Sequence, residues 1–156
     1  MSEDPSGIQV CVLGPLTVER AGQPVGLGGP RQRLVLALLV QAAPSVVSAD
    51  RLIADVWGDA APANRKGTLQ TYISQLRSVL GGGIVTSGSG YALDVPGEAI
   101  DAFRFENLVG EGRRRLHSKP GEAGELLREA LAMWRGRPYA DLIDEECLRA
   151  EIARLE

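Results

Sequence analysis

The sequence is poorest in the residues that catalysis and cross-linking require: one histidine, His117, and two cysteines, Cys11 and Cys147, in 156 residues. Two cysteines near opposite ends make neither a disulfide framework nor a metal-ligand spacing, and inert thiols are expected. His117 has no cysteine or serine motif to pair with as a nucleophile, so no enzymatic activity is expected, and no metal or cofactor. No apolar run approaches the ~18 residues that cross a membrane. The N-terminus MSEDPSG is acidic and lacks the charged-then-apolar order of a signal peptide, which places the chain in the cytoplasm by expectation. The run Gly26-Leu27-Gly28-Gly29-Pro30 resembles a phosphate-cradling loop, but Pro30 removes a donor and no Lys-Ser/Thr follows, so it reads as a turn.

Positive charge is also scarce. The net charge is −3, and residues 1–97 hold seven Lys/Arg against seven Asp/Glu. A polyanion partner must therefore be met by a local cluster. Each neutralised phosphate adds about 0.9 to the salt slope of DNA binding, so a few basic contacts imply weak binding by one copy and a need for a second copy or a partner. The run Arg113-Arg114-Arg115 reads as a solvated helix face.

What is present is a 44% apolar composition, enough for a real core at this length, and one segment with two unlike faces. In Asn64 to Leu80, Leu69, Ile73, Leu76 and Leu80 fall on one stripe of a helix. The opposite side carries Arg65, Lys66, Thr68, Thr71, Gln75 and Ser78, and no acid occurs between Ala60 and Leu93. Short polar side chains flanked by cations suit a helix that enters the major groove. Gly81, Gly82 and Gly83 end it, and IVTSGSGYALDV follows as a hairpin. Ser48 to Gly58 reads as a preceding helix, with Ser48 as N-cap and Leu52, Ile53, Val56 and Trp57 inward. Helix, loop, longer helix and hairpin make a winged helix-turn-helix.

Thr68, Thr71 and Gln75, at i, i+3 and i+7, are the base-contact candidates. Arg65, Lys66 and Arg77 are candidate phosphate clamps, and Tyr72 and Ser78 candidate phosphate donors. Tyr72 could equally pack against the wing. The wing tip holds no cation, which leaves Thr86, Ser87 and Ser89 to bond a phosphate. Beyond the wing, Phe103, Phe105, Leu108, Val109 and Leu116 predict one helix, and Ala123 to Trp134 a second, with a break at Lys119-Pro120-Gly121 and a stop at Gly136 and Pro138.

The segment GTLQTYISQLRSVLG with the hairpin ending GYALDV resembles the OmpR/PhoB winged-helix class, in the version carried by the Streptomyces antibiotic regulatory proteins. The opening IQVCVLGPLTVERAGQPVGLGGPRQRLVLALLV adds the leading antiparallel sheet of that class, with strands near Ile8 to Leu13 and Leu16 to Arg20 and a first helix from about Pro30. Residues 99–156, with AIDAFRFENLV, ALAMWRGRPYADL and LRAEIARLE, resemble the bacterial transcriptional activator domain.

The resemblance implies an α+β chain: a small antiparallel sheet and a three-helix winged helix-turn-helix over 8–95, then an all-α tetratricopeptide-like region over 99–156, expected to be incomplete because its last helical pattern runs to Glu156. It implies a transcriptional activator that binds promoter direct repeats and recruits RNA polymerase for a secondary-metabolite pathway. A second copy would occupy the adjacent repeat. It puts Thr68, Thr71, Gln75 and Arg77 on DNA-facing positions and makes the loop Asp59, Ala60, Ala61, Pro62, Ala63 and Asn64 the polymerase-facing element. No receiver domain precedes the winged helix, so receiver phosphorylation is not expected as the switch. The neutral charge leaves an alternative, a helical protein-interaction adaptor whose winged helix does not read DNA.

Overall fold

Alternation along the first strand sets the leading sheet. Ile8 and Val10 are fully buried while Gln9 and Cys11 are half-exposed along β1 (Ile8–Cys11). This strand pairs antiparallel with β2 (Thr17–Arg20), Val10 opposite Val18, and β3 (Gln23–Pro24) adds a third strand in the order β1-β2-β3. The structure, a computed structural model, describes residues 7–156. Both long strands are shorter than the sequence predicts, because Val12 and Leu13 give their amides to the side chain of Asp101, and Leu16 its amide to Asp141, rather than to a neighbouring strand.

The first helix, α1 (Pro30–Ala42), starts with a proline in its first turn, where the missing N–H would have no partner. Every residue from Leu34 to Val40 is buried, as in a helix enclosed on all sides. Two helices cross it: α2 (Ala49–Trp57) and α3 (Arg65–Leu80). Ser48 caps α2 as its type predicts, its hydroxyl accepting from the Arg51 amide at 3.1 Å. At the end of α3, Gly81 takes φ +64°, and the Gly82 amide reaches back to the Arg77 carbonyl at 2.9 Å, satisfying carbonyls that would otherwise be orphaned.

The wing is β5 (Ile84–Ser87) and β6 (Gly90–Leu93). A two-residue strand that the sequence does not announce, β4 (Val47–Ser48), pairs with β6 and gives the order β4-β6-β5. Only glycine fits at position 90, because a Cβ there would lie 2.5 Å from the Val47 carbonyl oxygen.

The helical half is α4 (Asp101–Arg115), α5 (Pro120–Ala132) and α6 (Arg149–Leu155). Gly112 allows α4 and α5 to close as a hairpin, since a Cβ there would sit 2.9 Å from the Leu127 side chain. Trp134 meets Phe105 edge-on, with centroids 5.2 Å apart. No helix among the described residues is long and apolar enough to cross a membrane.

The two halves share one core. Tyr139, Leu142, Leu148, Ile152 and Leu155 belong to the same buried cluster as β1, α1 and α3. Residues 135–141 run along the β1–β2 turn: Arg135 and Tyr139 donate their amides to the Leu13 and Val12 carbonyls at 2.8 and 2.9 Å, and the Asp141 carboxylate accepts from the Leu16 amide at 2.8 Å. Asp141 also pairs with Arg33 of α1. Tyr139 holds φ +52° while 1% exposed. Burial first, then the charges of Glu151 and Asp101, holds its hydroxyl well above its ordinary pKa, so it stays neutral.

Asp101 is the innermost join. It is 3% exposed and its two oxygens accept from Val12 and Leu13 at 2.8 and 3.1 Å. Asp101→Ala leaves two buried amides without partners, each costing about 1–3 kcal/mol. Urea unfolding of that variant is expected to show a loss of about 2–4 kcal/mol. Asp101→Asn, which turns an NH2 toward one of the two donors, is expected to fall between it and the native chain.

Candidate nucleic-acid interface

The exposed side of α3 is set by its buried stripe. Leu69, Ile73, Leu76 and Leu80 are each at most 1% exposed, which turns Thr71, Gln75 and Ser78 outward, with Thr68 half-buried beside them. Two hydroxyls are already engaged within the helix: Thr68 donates to the Asn64 carbonyl and Thr71 to the Gly67 carbonyl, both at 3.0 Å. Their oxygens remain as acceptors, so the face is less donor-rich than its composition suggests.

The start of α3 is built against the usual rules for helix stability. Its first turn carries no acid, Asn64 makes no side-chain cap, and Arg65 and Lys66 put two cations at the end where the helix dipole favours anions. Neither cation forms an ion pair among the described residues. Such an end has little structural benefit and presents two exposed charges to whatever approaches the helix.

Arg77 sits differently from expectation. Its Nε donates to the Ile84 carbonyl at 2.8 Å and its Nη2 to the Thr86 hydroxyl at 2.5 Å, while the guanidinium carbon lies 5.9 Å from the Tyr91 ring centroid. The side chain braces α3 to both strands of the wing. Tyr72 packs neither against the wing nor outward: it stacks on Trp57 of α2, with centroids 5.7 Å apart and an interplanar angle of 21°. The wing tip is pinned at a second point, where the Ala49 amide at the start of α2 donates to the Ser89 carbonyl at 2.9 Å. Thr86, Ser87 and Ser89 are all exposed.

Between the wing side of α3, the wing tip and the first turn of α2 lies a groove of about 300 Å³, lined by Asp50, Lys66, Gln70, Thr86 and Ser89 among others. Asp50 is the residue that sequence reasoning overlooked here. Its place on the preceding helix looked remote from α3, and only the β4–β6 pairing brings the two helix starts together.

The loop 59–64 opens with a short 3-10 turn, Gly58–Ala60. Asp59, Ala60, Ala63 and Asn64 are exposed, and Ala61 and Pro62 half-buried. Burial, then the charge of Asp101 for Cys11 and of Asp55 for Cys147, pushes both thiols up. Protonated thiols are poor nucleophiles and poor metal ligands at neutral pH.

Residues 22–93 match the family described as transcriptional regulatory protein, C terminal, and residues 100–156 match the bacterial transcriptional activator domain. Over 96% of its length the chain is 35% identical to the regulatory protein DnrI of Streptomyces peucetius, covering 60% of that protein. It is 30% identical to the transcriptional regulator RedD of Streptomyces coelicolor over 96% of this chain and 45% of that one. It is 34% identical to the transcriptional regulatory protein EmbR of Mycobacterium tuberculosis over 85% of this chain and 36% of that one. The solved structure of Mycobacterium tuberculosis EmbR in complex with a low-affinity phosphopeptide matches the fold with a TM-score of 0.91 at 30% identity, over 96% of this chain and 41% of that one. The chain thus spans at most about 60% of the length of these relatives.

The brace from α3 to the wing has a measurable signature. Arg77→Ala is expected to speed amide exchange in Ile84–Ser87 while the centre of α3 stays protected, because the bonds to Ile84 and Thr86 are lost and the α3 core stripe is untouched. The accompanying loss of stability should be about 1–2 kcal/mol by chemical denaturation.

Proposed function

The chain belongs to the Streptomyces antibiotic regulatory protein family, an OmpR/PhoB-type winged helix joined to a bacterial transcriptional activator domain, and from that footing we propose that it is a sequence-specific activator that binds promoter direct repeats through α3 in the major groove and recruits RNA polymerase. The relatives are named as transcriptional regulators and not as enzymes. The observation that carries the reading is the start of α3, where Arg65 and Lys66 stand unpaired on a helix end that gains nothing from them.

In this reading residues 8–95 are the DNA-reading module and 99–156 the opening of the activator domain. Thr68, Thr71 and Gln75 lie along the groove floor, glutamine suited to an adenine edge and threonine to a thymine methyl or a phosphate. Arg65 and Lys66 take phosphates, with Ser78, Thr86, Ser87 and Ser89 as short partners. Arg77 contributes chiefly by holding the wing at a fixed angle to α3, and Tyr72 by fixing α3 against α2. The loop from Asp59 to Asn64 faces RNA polymerase holoenzyme. A second copy on the adjacent repeat supplies affinity that one copy lacks. The regulated genes belong to a secondary-metabolite pathway, and the protein works in the cytoplasm.

The neutral charge of residues 1–97 favours the alternative, a helical adaptor that does not read DNA, and one titration separates the two. Native protein, Thr71→Ala, Gln75→Ala and Lys66→Ala are titrated against promoter fragments from the chromosomal neighbourhood and against random duplex over a range of salt. The first two variants are expected to lose about 1–3 kcal/mol of discrimination at single base pairs. Lys66→Ala is expected to weaken all sequences alike and reduce the salt slope by about 0.9. Native protein that prefers no fragment at any salt would sink the activator reading and leave the adaptor. In transcription assays with purified polymerase, Pro62→Ala and Asn64→Ala, which leave the charge unchanged, are expected to lower transcript yield at unchanged DNA affinity. Equal loss of both would remove the loop from the polymerase-facing role.

A further inference from the structure

The start of α2 is a helix N-terminus, and such ends usually attract phosphate through unbonded amides and the helix dipole. Here the attraction is cancelled from within. The Ala49 amide is taken by the Ser89 carbonyl and the Arg51 amide by the Ser48 hydroxyl. Between them Asp50 adds an exposed carboxylate to the first turn, with no ion pair among the described residues.

That carboxylate lines the groove that Lys66, Gln70, Thr86 and Ser89 also line. Lys66 and Gln70, one turn apart, line the wing side of α3, roughly 100–180° around the helix from Thr71 and Gln75. The major groove is about 12 Å wide and a helix with its side chains about 10–12 Å across, so a helix lying in it is flanked closely by both sugar-phosphate strands. In the proposed docking the strand on the wing side of α3 would run beside this groove, within reach of the Lys66 ammonium and the Asp50 carboxylate that line it.

We infer that Asp50 is a specificity-determining residue that holds down phosphate-driven affinity along the wing-side strand, opposing Lys66 so that stable docking depends on the base contacts of α3. The inference rests on the DNA-binding reading above. It also gives the local charge balance a role: a reader with few cations places an acid where a backbone strand runs. Random duplex, bound through its backbone alone, feels the carboxylate most, because no base contact offsets it.

The test uses the full chain with Asp50→Asn, which keeps size and hydrogen-bonding capacity, and Asp144→Asn, which makes the same change of net charge at an exposed position on the helical half. Each is titrated against the preferred promoter fragment and against random duplex from 50 to 300 mM salt. Removing one unit of like charge beside a phosphate is expected to tighten random-duplex binding by Asp50→Asn about fivefold and promoter binding by less, so that the preference for the promoter falls; an equal gain on both overturns the specificity role. The salt slope should steepen by much less than about 0.9, since Lys66 already neutralises its phosphate in the native chain and only the opposing charge is removed. Asp144→Asn should follow the native protein.

The inference is overturned if Asp50→Asn leaves random-duplex affinity and slope unchanged, and a lowered melting temperature in that case would assign Asp50 to the α2 dipole alone. It is equally overturned if Asp144→Asn tightens binding as much, or if Asp50→Asn weakens binding, which would make the carboxylate an acceptor for a base. Native protein that binds no duplex defeats the DNA-binding reading itself. The inference, which rests on that reading, falls with it, whereas duplex binding by the native protein with no change in Asp50→Asn defeats the inference alone.

Discussion

One carboxylate decides how the chain is organised. Asp101 lies at the first position of α4, yet its oxygens cap the two amides that end β1. A buried charge is tolerable only with partners of good geometry, and here both are backbone donors of another element. The pairing stops the strand, turns the chain toward Leu16, and seats α4 against the leading sheet. The segment from Arg135 to Asp141 then follows the same turn with backbone bonds of its own. The leading sheet is therefore held at its edge as well as on its inner face: Ile8, Val10 and Val18 join the core shared with α1, and Ile100 at the head of the activator segment bridges to Val10.

The reading surface depends on a comparable economy of contacts. Arg77 reaches both wing strands, Tyr72 rests on Trp57, and the Ser89 carbonyl holds the start of α2. These contacts fix three elements relative to one another before any partner arrives, which reduces the ordering that binding would otherwise require. What they leave outward is a small set of polar side chains with two cations at one end and one acid across the groove. On the proposed reading, the cations supply affinity for the backbone and the central polar residues the base contacts.

Much of this was legible in the sequence. Helical spacing placed Leu69, Ile73, Leu76 and Leu80 inward, and Ser48, Gly58 and the three glycines after Leu80 marked helix ends where the structure has them. Local rules of capping and periodicity carry such features, since they act over a few residues. What stayed hidden depends on pairs far apart in the chain. Asp101 carries no local signal, Arg77 reads as a phosphate clamp, and Val47 again carries no local signal. Each is defined by a partner that no spacing rule connects to it: Val12 across 89 positions, the wing strands, and β6. The ALAMWRGRPYADL motif was recognisable by resemblance, but its task of lining the β1–β2 turn became visible only in three dimensions. The roles of individual side chains toward DNA rest on composition and exposure, which identify a face without identifying its partner atoms.

The shared core around Tyr139 has a geometric consequence for promoter architecture. Because the chain on both sides of the helical hairpin is tied to the leading sheet, by Asp101 before it and by the backbone bonds of residues 135–140 after it, the hairpin is held in place relative to α3. On a duplex read by α3, the hairpin points to one azimuth around the DNA axis. Moving the operator by half a helical repeat, about five base pairs, carries that azimuth to the far side of the duplex, whereas a full repeat of about 10.5 base pairs restores it. On the proposed reading, a promoter served by such a protein would be phased in whole turns, its spacing following from the packing between a tyrosine and a strand.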